Sequence, residues 1–293
     1  MALTEAIVLD GAKPTRRRRF GAQMPGWTSL LSRTILVVAV AMCLFPILYL
    51  VLMSFKNASD ILSVRIFPST LAWQNWVNAF ADYPIMTYLG NSVVVALGST
   101  LLALAISIPA NYAIARLRTG GNNILGLIVS IYIAPPIVAI VPLFLLVRGV
   151  RLMDTIAGLL VVEALLLTPV VIWLLDNFFR AIPEEIDEAA QLDGCGPWRT
   201  LTRVILPLVM PGVVAVGIIA FILSYNDFLI PLMLGQSGST QTLPVGIALM
   251  QGGREVAFGR MAAAAFIGMV PVYILALFMQ RWLIGGLTQG SVK

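Results

Sequence analysis

Three carboxylates, Glu163, Asp176 and Asp227, fall inside runs that are otherwise apolar. A charged group surrounded by hydrocarbon is expensive, so each marks an ion pair, a wet cavity or a site that binds something. Asp176 stands beside Asn177 and four residues before Arg180, a spacing that puts opposite charges on one helix face and accounts for it as a local ion pair. Glu163 lies deeper and either carries a proton or faces water. Asp227 belongs to Ser224-Tyr225-Asn226-Asp227-Phe228, where hydroxyl, amide and carboxylate groups accompany two aromatic rings. Such a set suits a polyhydroxylated ligand, because hydroxyls need donors and acceptors and aromatic faces stack on the apolar side of a sugar ring. The same groups also suit hydrogen bonds between helices, and the sequence leaves both readings open. Tyr225, Asn226 and Asp227 are thus candidates to line a substrate path, with Asn91, beside Ser92, as a further one.

A second polar stretch, Pro183 to Pro211, is the only long charge-rich segment in the second half of the chain. It reads as two short helices joined by a bend. Pro183 suits a first helical position, and Glu184, Glu185, Asp187 and Glu188 lie against the positive end of the helix dipole. Asp193 closes this acidic set, Gly194 and Gly196 supply the turn, and Pro197 opens a second helix that enters an apolar run at Leu206-Pro207. Ile186, Ala189 and Ala190 share one face by the i, i+3, i+4 rule, and a small apolar face flanked by carboxylates suits docking into a groove on a partner.

Several chemistries are excluded. The chain has no His, and Cys43 and Cys195 are far apart, which removes His-based acid–base catalysis, His/Cys zinc sites and a disulfide framework. No Gly-Lys-Ser/Thr phosphate loop is present, so the chain is not itself an ATPase. An intramembrane enzyme built on Glu163, Asp176 and Asp227 lacks any nucleophile–base pair.

These residues must be positioned by a membrane bundle. The 293 residues are 59% hydrophobic and 11% charged, against about 25% charged in soluble domains. Crossing the hydrocarbon core takes about 20 apolar residues, and six runs qualify: Thr34–Ser54, Tyr88–Ala110, Ile124–Val147, Thr155–Phe178, Leu208–Leu234 and Gly259–Leu283. The first is too long for a signal-peptide core and is read as a retained span. With the N-terminus inside, 13 of the 19 Lys and Arg residues fall in the cytoplasm, which favours an N-in, C-in topology. The net charge of +5 therefore reports orientation and not nucleic-acid binding. The expected fold is an all-α membrane protein of six transmembrane helices, with residues 1–33 as a cytoplasmic arm carrying Arg16–Arg19. Trp73, Trp76, Phe80 and Tyr83 in the first outer loop predict an interfacial helix. Prolines interrupt several spans, among them Pro135-Pro136 and Pro211, and proline breaks allow bending where neighbours satisfy the freed carbonyls.

Glu188-Ala189-Ala190, then Gly194, then Val204-Ile205-Leu206-Pro207 resembles the EAA motif of the permease subunits of bacterial ABC importers, with Val204 where that family usually has Ile. Asn91-Ser92-Val93, Tyr112-Ala113-Ile114-Ala115-Arg116, Tyr225-Asn226-Asp227-Phe228, Thr242-Leu243-Pro244-Val245-Gly246 and the terminal Gly286–Lys293 are similar to the carbohydrate branch, to the smaller maltose-type subunit above all. The resemblance covers nearly the whole chain after residue 30. It implies a multi-pass protein of the bacterial inner membrane that imports a sugar by alternating access, in residues 34–293. Glu184, Glu185, Asp187, Glu188, Ala189, Ala190, Asp193 and Gly194 would form a coupling helix, within 183–205, that sits in a cleft of an ATPase. The implied partners are a second permease subunit, two ATPase subunits that hold ATP and magnesium, and an extracytoplasmic solute-binding protein; this chain binds no cofactor. The loop Gly235, Gln236, Ser237, Gly238 would contact the binding protein, and Thr288 and Gln289, in a tail of residues 285–293, the ATPase. A polyol or glycerol-phosphate cargo on the same architecture is the alternative; an anionic one would call for basic residues near the span centres, where none stands.

Overall fold

The computed structural model describes residues 26–289 apart from residues 64, 122, 134 and 252–256. The Arg16–Arg19 cluster, residues 290–293 and the side chains of Thr288 and Gln289 lie outside the described residues. The chain divides into two compact units, residues 1–48 and 49–293.

Among the described residues the chain is helical, without strands. Its elements are α1 (Gly26–Ser54), α2 (Ala58–Leu62), α3 (Gln74–Asp82), α4 (Ile85–Ala115), α5 (Ile124–Ile133), α6 (Pro136–Gly149), α7 (Ile156–Arg180), α8 (Glu185–Leu192) and α9 (Pro197–Arg199). A π-helical turn (Thr200–Ile205) leads into α10 (Leu206–Tyr225), followed by α11 (Leu229–Leu234), α12 (Leu243–Leu249) and α13 (Phe258–Gln289). Five stretches, Leu30–Ser54, Ile85–Ala115, Ile156–Arg180, Pro197–Tyr225 and Phe258–Phe278, are long and apolar enough to cross a bilayer, and the bent pair α5–α6 would make a sixth.

Four expectations change. The helix begun by α1 starts at Gly26, so the boundary expected at residue 33 falls inside a helix. The run Ile124–Val147 is two helices meeting at 93°. Pro135 and Pro136 explain the break, since each lacks an N–H and each biases the preceding residue away from the α region. The fifth span ends at Tyr225 instead of Leu234, because Asn226, Asp227 and Phe228 leave the helix before α11 begins. Lastly, α13 continues to Gln289, so the tail expected from residue 285 begins within that helix.

Packing centres on α4, α7 and α10. Ala103 of α4, Leu175 and Phe179 of α7, Ile205 of the π-helical turn and Val216 of α10 form one buried cluster. Small residues permit the close approach that drives helix association in lipid. A Cβ on Gly98 would come within 2.2 Å of Leu160 Cδ1, and one on Gly212 within 2.4 Å of Phe178 Cγ and Cδ1. At one end, α3 forms as expected, but only part of its aromatic set is free of the bundle. Trp73 is 60% exposed, whereas Trp76 and Tyr83 pack against a second cluster containing Ala79, Tyr88, Leu243 and Ala263.

Gly212→Val should therefore force α7 and α10 apart and cost about 1–3 kcal/mol of stability, the usual penalty of overpacking. Thermal unfolding of the purified subunit would measure it, and adding Phe178→Ala should recover part of the loss; a full additive loss would mean the two positions do not share the contact.

Candidate functional site

The acidic stretch forms α8, entered through Glu184 and not through Pro183, which precedes the helix. Its two faces differ. Ile186 packs against the central cluster and Ala190 is buried, so the apolar face expected to meet a partner is occupied by the chain's own bundle. Turned outward are Glu184, Glu185, Glu188, Ala189 and Asp193, together with Leu192, which is 89% exposed. Ala189 thus parts from Ile186 and Ala190 despite the shared periodicity. Gly194 has φ +77° with open space where a Cβ would stand, so glycine is required there by the backbone alone.

Asp187 binds this helix to the bundle. Its carboxylate lies 3.4 Å from Arg116 Nε, with side-chain exposures of 10% and 5%, and it neighbours Tyr112, which also neighbours Thr200 of the π turn. Arg116 Nη2 donates to the Ile182 carbonyl at 2.6 Å. One arginine at the end of α4 therefore holds both the start of α8 and the turn before it. Asp187, grouped in the sequence with the acids of α8 that would meet a partner, is buried against Arg116 instead, and Arg116 was not among the candidate residues. Its signal was the lone cation closing Tyr112-Ala113-Ile114-Ala115-Arg116.

The acids inside the spans separate. Asp176 pairs with Arg180 at 2.7 Å, as its spacing predicts. The Ser224–Phe228 patch is split between different tasks. Ser224 accepts from the Ser99 hydroxyl at 3.0 Å, Tyr225 donates to the Gly268 carbonyl at 2.7 Å, and Asn226 turns back to the Ile222 carbonyl. Asp227 accepts from the N–H groups of Leu229 and Ile230, capping α11. Tyr225 and Asn226 line a cavity of about 470 Å³ with Leu243, Pro244 and Tyr273. Asp227 lines another, of about 580 Å³, with Glu163.

Asn91 lines neither. Its amide donates to the carbonyls of Ser239 and Gln241, both at 2.9 Å, while Ser92 accepts from Leu243 N at 2.8 Å. These bonds fasten the Gly235–Thr242 loop to α4. Asp154 fastens its other side. Oδ1 accepts from the backbone N–H of Gln236 and Ser237 at 2.9 Å each, from the Ser237 hydroxyl at 3.0 Å and from the Thr240 hydroxyl. The side chain of Thr240, then the N–H of Ser237, hold the Asp154 carboxyl at a pKa of about 2. Nothing in the sequence around Asp154 marks it as this loop's anchor. Gln236 and Gly238 are exposed, but Gly235 is buried, so the presented part is short and its backbone is fixed.

Residues 103–289 match the model of the binding-protein-dependent transport system inner membrane component family. The chain belongs to that family. This permease subunit is 36% identical over 253 residues to the sulfoquinovosyl glycerol transport system permease protein SmoH of Agrobacterium fabrum, covering 85% of this chain and 89% of that one. It is 34% identical over 259 residues to the trehalose transport system permease protein SugB of Mycobacterium tuberculosis, covering 87% and 94%. With the trehalose/maltose transport system permease protein MalG of Thermococcus litoralis the figures are 30% over 272 residues, covering 90% and 98%. A chain from the crystal structure of a bacterial ABC transporter involved in the import of the acidic polysaccharide alginate shares its fold, with a TM-score of 0.69 at 20% identity over 87% of this chain and 96% of that one. It is the membrane component of an ABC importer, a permease and not an enzyme, and the family assigns it to the inner membrane.

Two outcomes follow from this geometry. Arg116→Ala leaves Asp187 buried without its counter-charge and should destabilise the permease by about 3–5 kcal/mol, measured by thermal unfolding; Arg116→Ala with Asp187→Ala should cost less than Arg116→Ala alone. Because the Asp154 pKa lies below the ordinary 3.8, its contribution to loop stability is full above that value and is lost as pH falls toward about 2. Asp154→Ala should thus speed amide exchange at Gln236 and Ser237 about tenfold at neutral pH, while acidifying the wild type to pH 5 should leave their protection intact.

Proposed function

We propose that this chain is one permease subunit of an ATP-driven sugar importer of the inner membrane, crossing it six times with α5–α6 as a broken span and with both termini in the cytoplasm. The excess of Lys and Arg on that side supports the orientation. The relatives described above are named for glycosides, including trehalose and maltose, and a sugar is the cargo read for this chain.

The observation that carries the coupling role is the two-sided packing of α8. Ile186, Asp187 and Ala190 root it in the bundle, leaving Glu188, Ala189 and Leu192 free for an ATPase. Since Asp187 touches the end of α4 through Arg116 and lies near the π turn below α10, a displacement of α8 would be passed to two spans at once. ATP-driven closure of two partner ATPases, which hold the nucleotide and magnesium, would rock those spans and open the path outward; hydrolysis would reset it. A second permease subunit completes the path. An extracytoplasmic binding protein delivers the sugar, and Gln236, Ser237 and Gly238, presented by the Asp154 anchor, are its contact on this chain. Thr288 and Gln289 are the ATPase contact at the end of α13.

Leu192→Glu tests the coupling reading, since the position is exposed and the substitution should leave the subunit's own unfolding temperature unchanged. The expected result is at least about a tenfold loss of ATPase subunit recovered on purification, with loss of sugar-stimulated ATP hydrolysis. Normal recovery and normal coupled transport would remove α8 from the docking role. Labelling of native Cys195 from the cytoplasmic face of sealed vesicles, and of Gly238→Cys from the opposite face, tests the orientation.

A further inference from the structure

Glu163 is 4% exposed, yet its Oε1 has no hydrogen-bond partner. The side chain lines the cavity of about 580 Å³ and neighbours Asp227 and Ser224. A buried acceptor left without a donor is costly, and here the open space in front of it lets a ligand supply one. Glu163 and Asp227 are the acidic residues lining that cavity, with no Lys or Arg in the lining; the rest of the wall is apolar or aromatic, including Tyr132, Pro135, Pro142 and Leu166.

We propose that this cavity is a subsite for one uncharged sugar unit of the cargo, with Glu163 Oε1 accepting from its hydroxyls, and that the Asp227 carboxylate beside it turns acidic sugars away. The inference rests on the sugar-import reading above and narrows it to neutral glycosides. Its volume lies within the range of about 300–1,000 Å³ usual for small-molecule sites, in which apolar walls surround a few placed polar groups. The Tyr132 ring and the prolines suit the C–H face of a sugar, and Glu163 suits its hydroxyl edge. Asp227 spends its oxygens on Leu229 N and Ile230 N, which fixes its charge beside the site instead of leaving it as the main acceptor. A divalent cation is a poorer occupant, since calcium takes about six to eight oxygens and no group of three or more His, Cys, Asp or Glu able to hold a metal occurs among the described residues. An anionic cargo would meet the Asp227 carboxylate across a low-dielectric wall with no Lys or Arg in the lining. The subsite is separate from the Tyr225–Tyr273 cavity, so each can be probed alone.

The test uses the assembled importer in lipid nanodiscs, with Cys43 and Cys195 replaced by Ser and a single reporter, Ala139→Cys, in the wall of the cavity. Trehalose, maltose and N,N′-diacetylchitobiose are first screened for uptake in proteoliposomes. The best of them and its uronic-acid analogue are then added at saturating concentration without binding protein, and the rate of thiol labelling is measured. The expected result is at least about fivefold protection of Ala139→Cys by the neutral sugar, little protection by the acid, and no protection of Ala265→Cys in the other cavity. Glu163→Gln and Glu163→Leu should each weaken the protection about tenfold in sugar concentration; should either fail to assemble, the reporter with Glu163 intact decides. Uptake of a neutral sugar without protection at Ala139→Cys, or equal protection by its uronic acid, overturns the subsite and leaves the importer reading standing. A complex that takes up none of the three sugars overturns both.

Discussion

Within a bilayer a backbone group that leaves its helix has no water to turn to, and the architecture of this permease follows from that constraint. Each interruption has a local answer. Where α10 stops at Tyr225, the Asp227 carboxylate takes two N–H groups of the helix that follows. The hydroxyls just before the break are directed to α4 and α13, through Ser99 and the Gly268 carbonyl. One break therefore stitches three spans together, and the residues that look most like ligand groups in the sequence are largely engaged in making it possible. Among the buried polar atoms that these bonds leave without a partner, the Glu163 carboxylate oxygen on α7 is one, and it belongs to a side chain that lines a cavity.

The apolar runs were legible because a span needs only length and composition, and the ion pair of Asp176 with Arg180 was legible because both lie on one helix. Long-range partners were not. Nothing near Asn91 indicates that its amide will meet carbonyls 148 and 150 residues later, and an amide at that position serves a ligand and a loop equally well. The same holds for Asp154, whose four donors come from a serine- and threonine-rich segment beyond the next two spans. For α8 the periodicity grouped Ala189 with Ile186 and Ala190, yet Ala189 is exposed. Ile186 and Ala190 do share a side, but amphipathicity records that a face is buried without recording by whom. Pro135-Pro136 signalled a weakness in the third run; the 93° bend needed the packing around it.

The two ends of the bundle use opposite chemistry for the same purpose. At one, a guanidinium on α4 collects a carboxylate and a carbonyl; at the other, a carboxylate in the turn before α7 collects hydroxyls and amides. The first pair is nearly dry, so its strength depends on both members being present. The second sits in a turn reachable by solvent, where several weak donors act together on one oxygen. A buried pair passes on displacement because neither partner can trade the other for water, whereas a many-donor anchor sets a shape. These properties match the tasks read for the two ends, motion at α8 and presentation at the Gly235–Thr242 loop.

The π-helical turn at Thr200–Ile205 carries a consequence for how the sequence tolerates length changes. Leu206 N reaches back to the Leu201 carbonyl, five residues instead of four, so the turn stores one residue more than an α-helix would. Removing any one residue there would let the chain close as an ordinary α-helix and turn everything before it by about 100° relative to α10. α8 would then leave the register that brings Asp187 to Arg116, although every side chain named above would still be present. The phase between the docking end and the span is held by a count of residues, and that stretch is constrained in length even where it is free in composition.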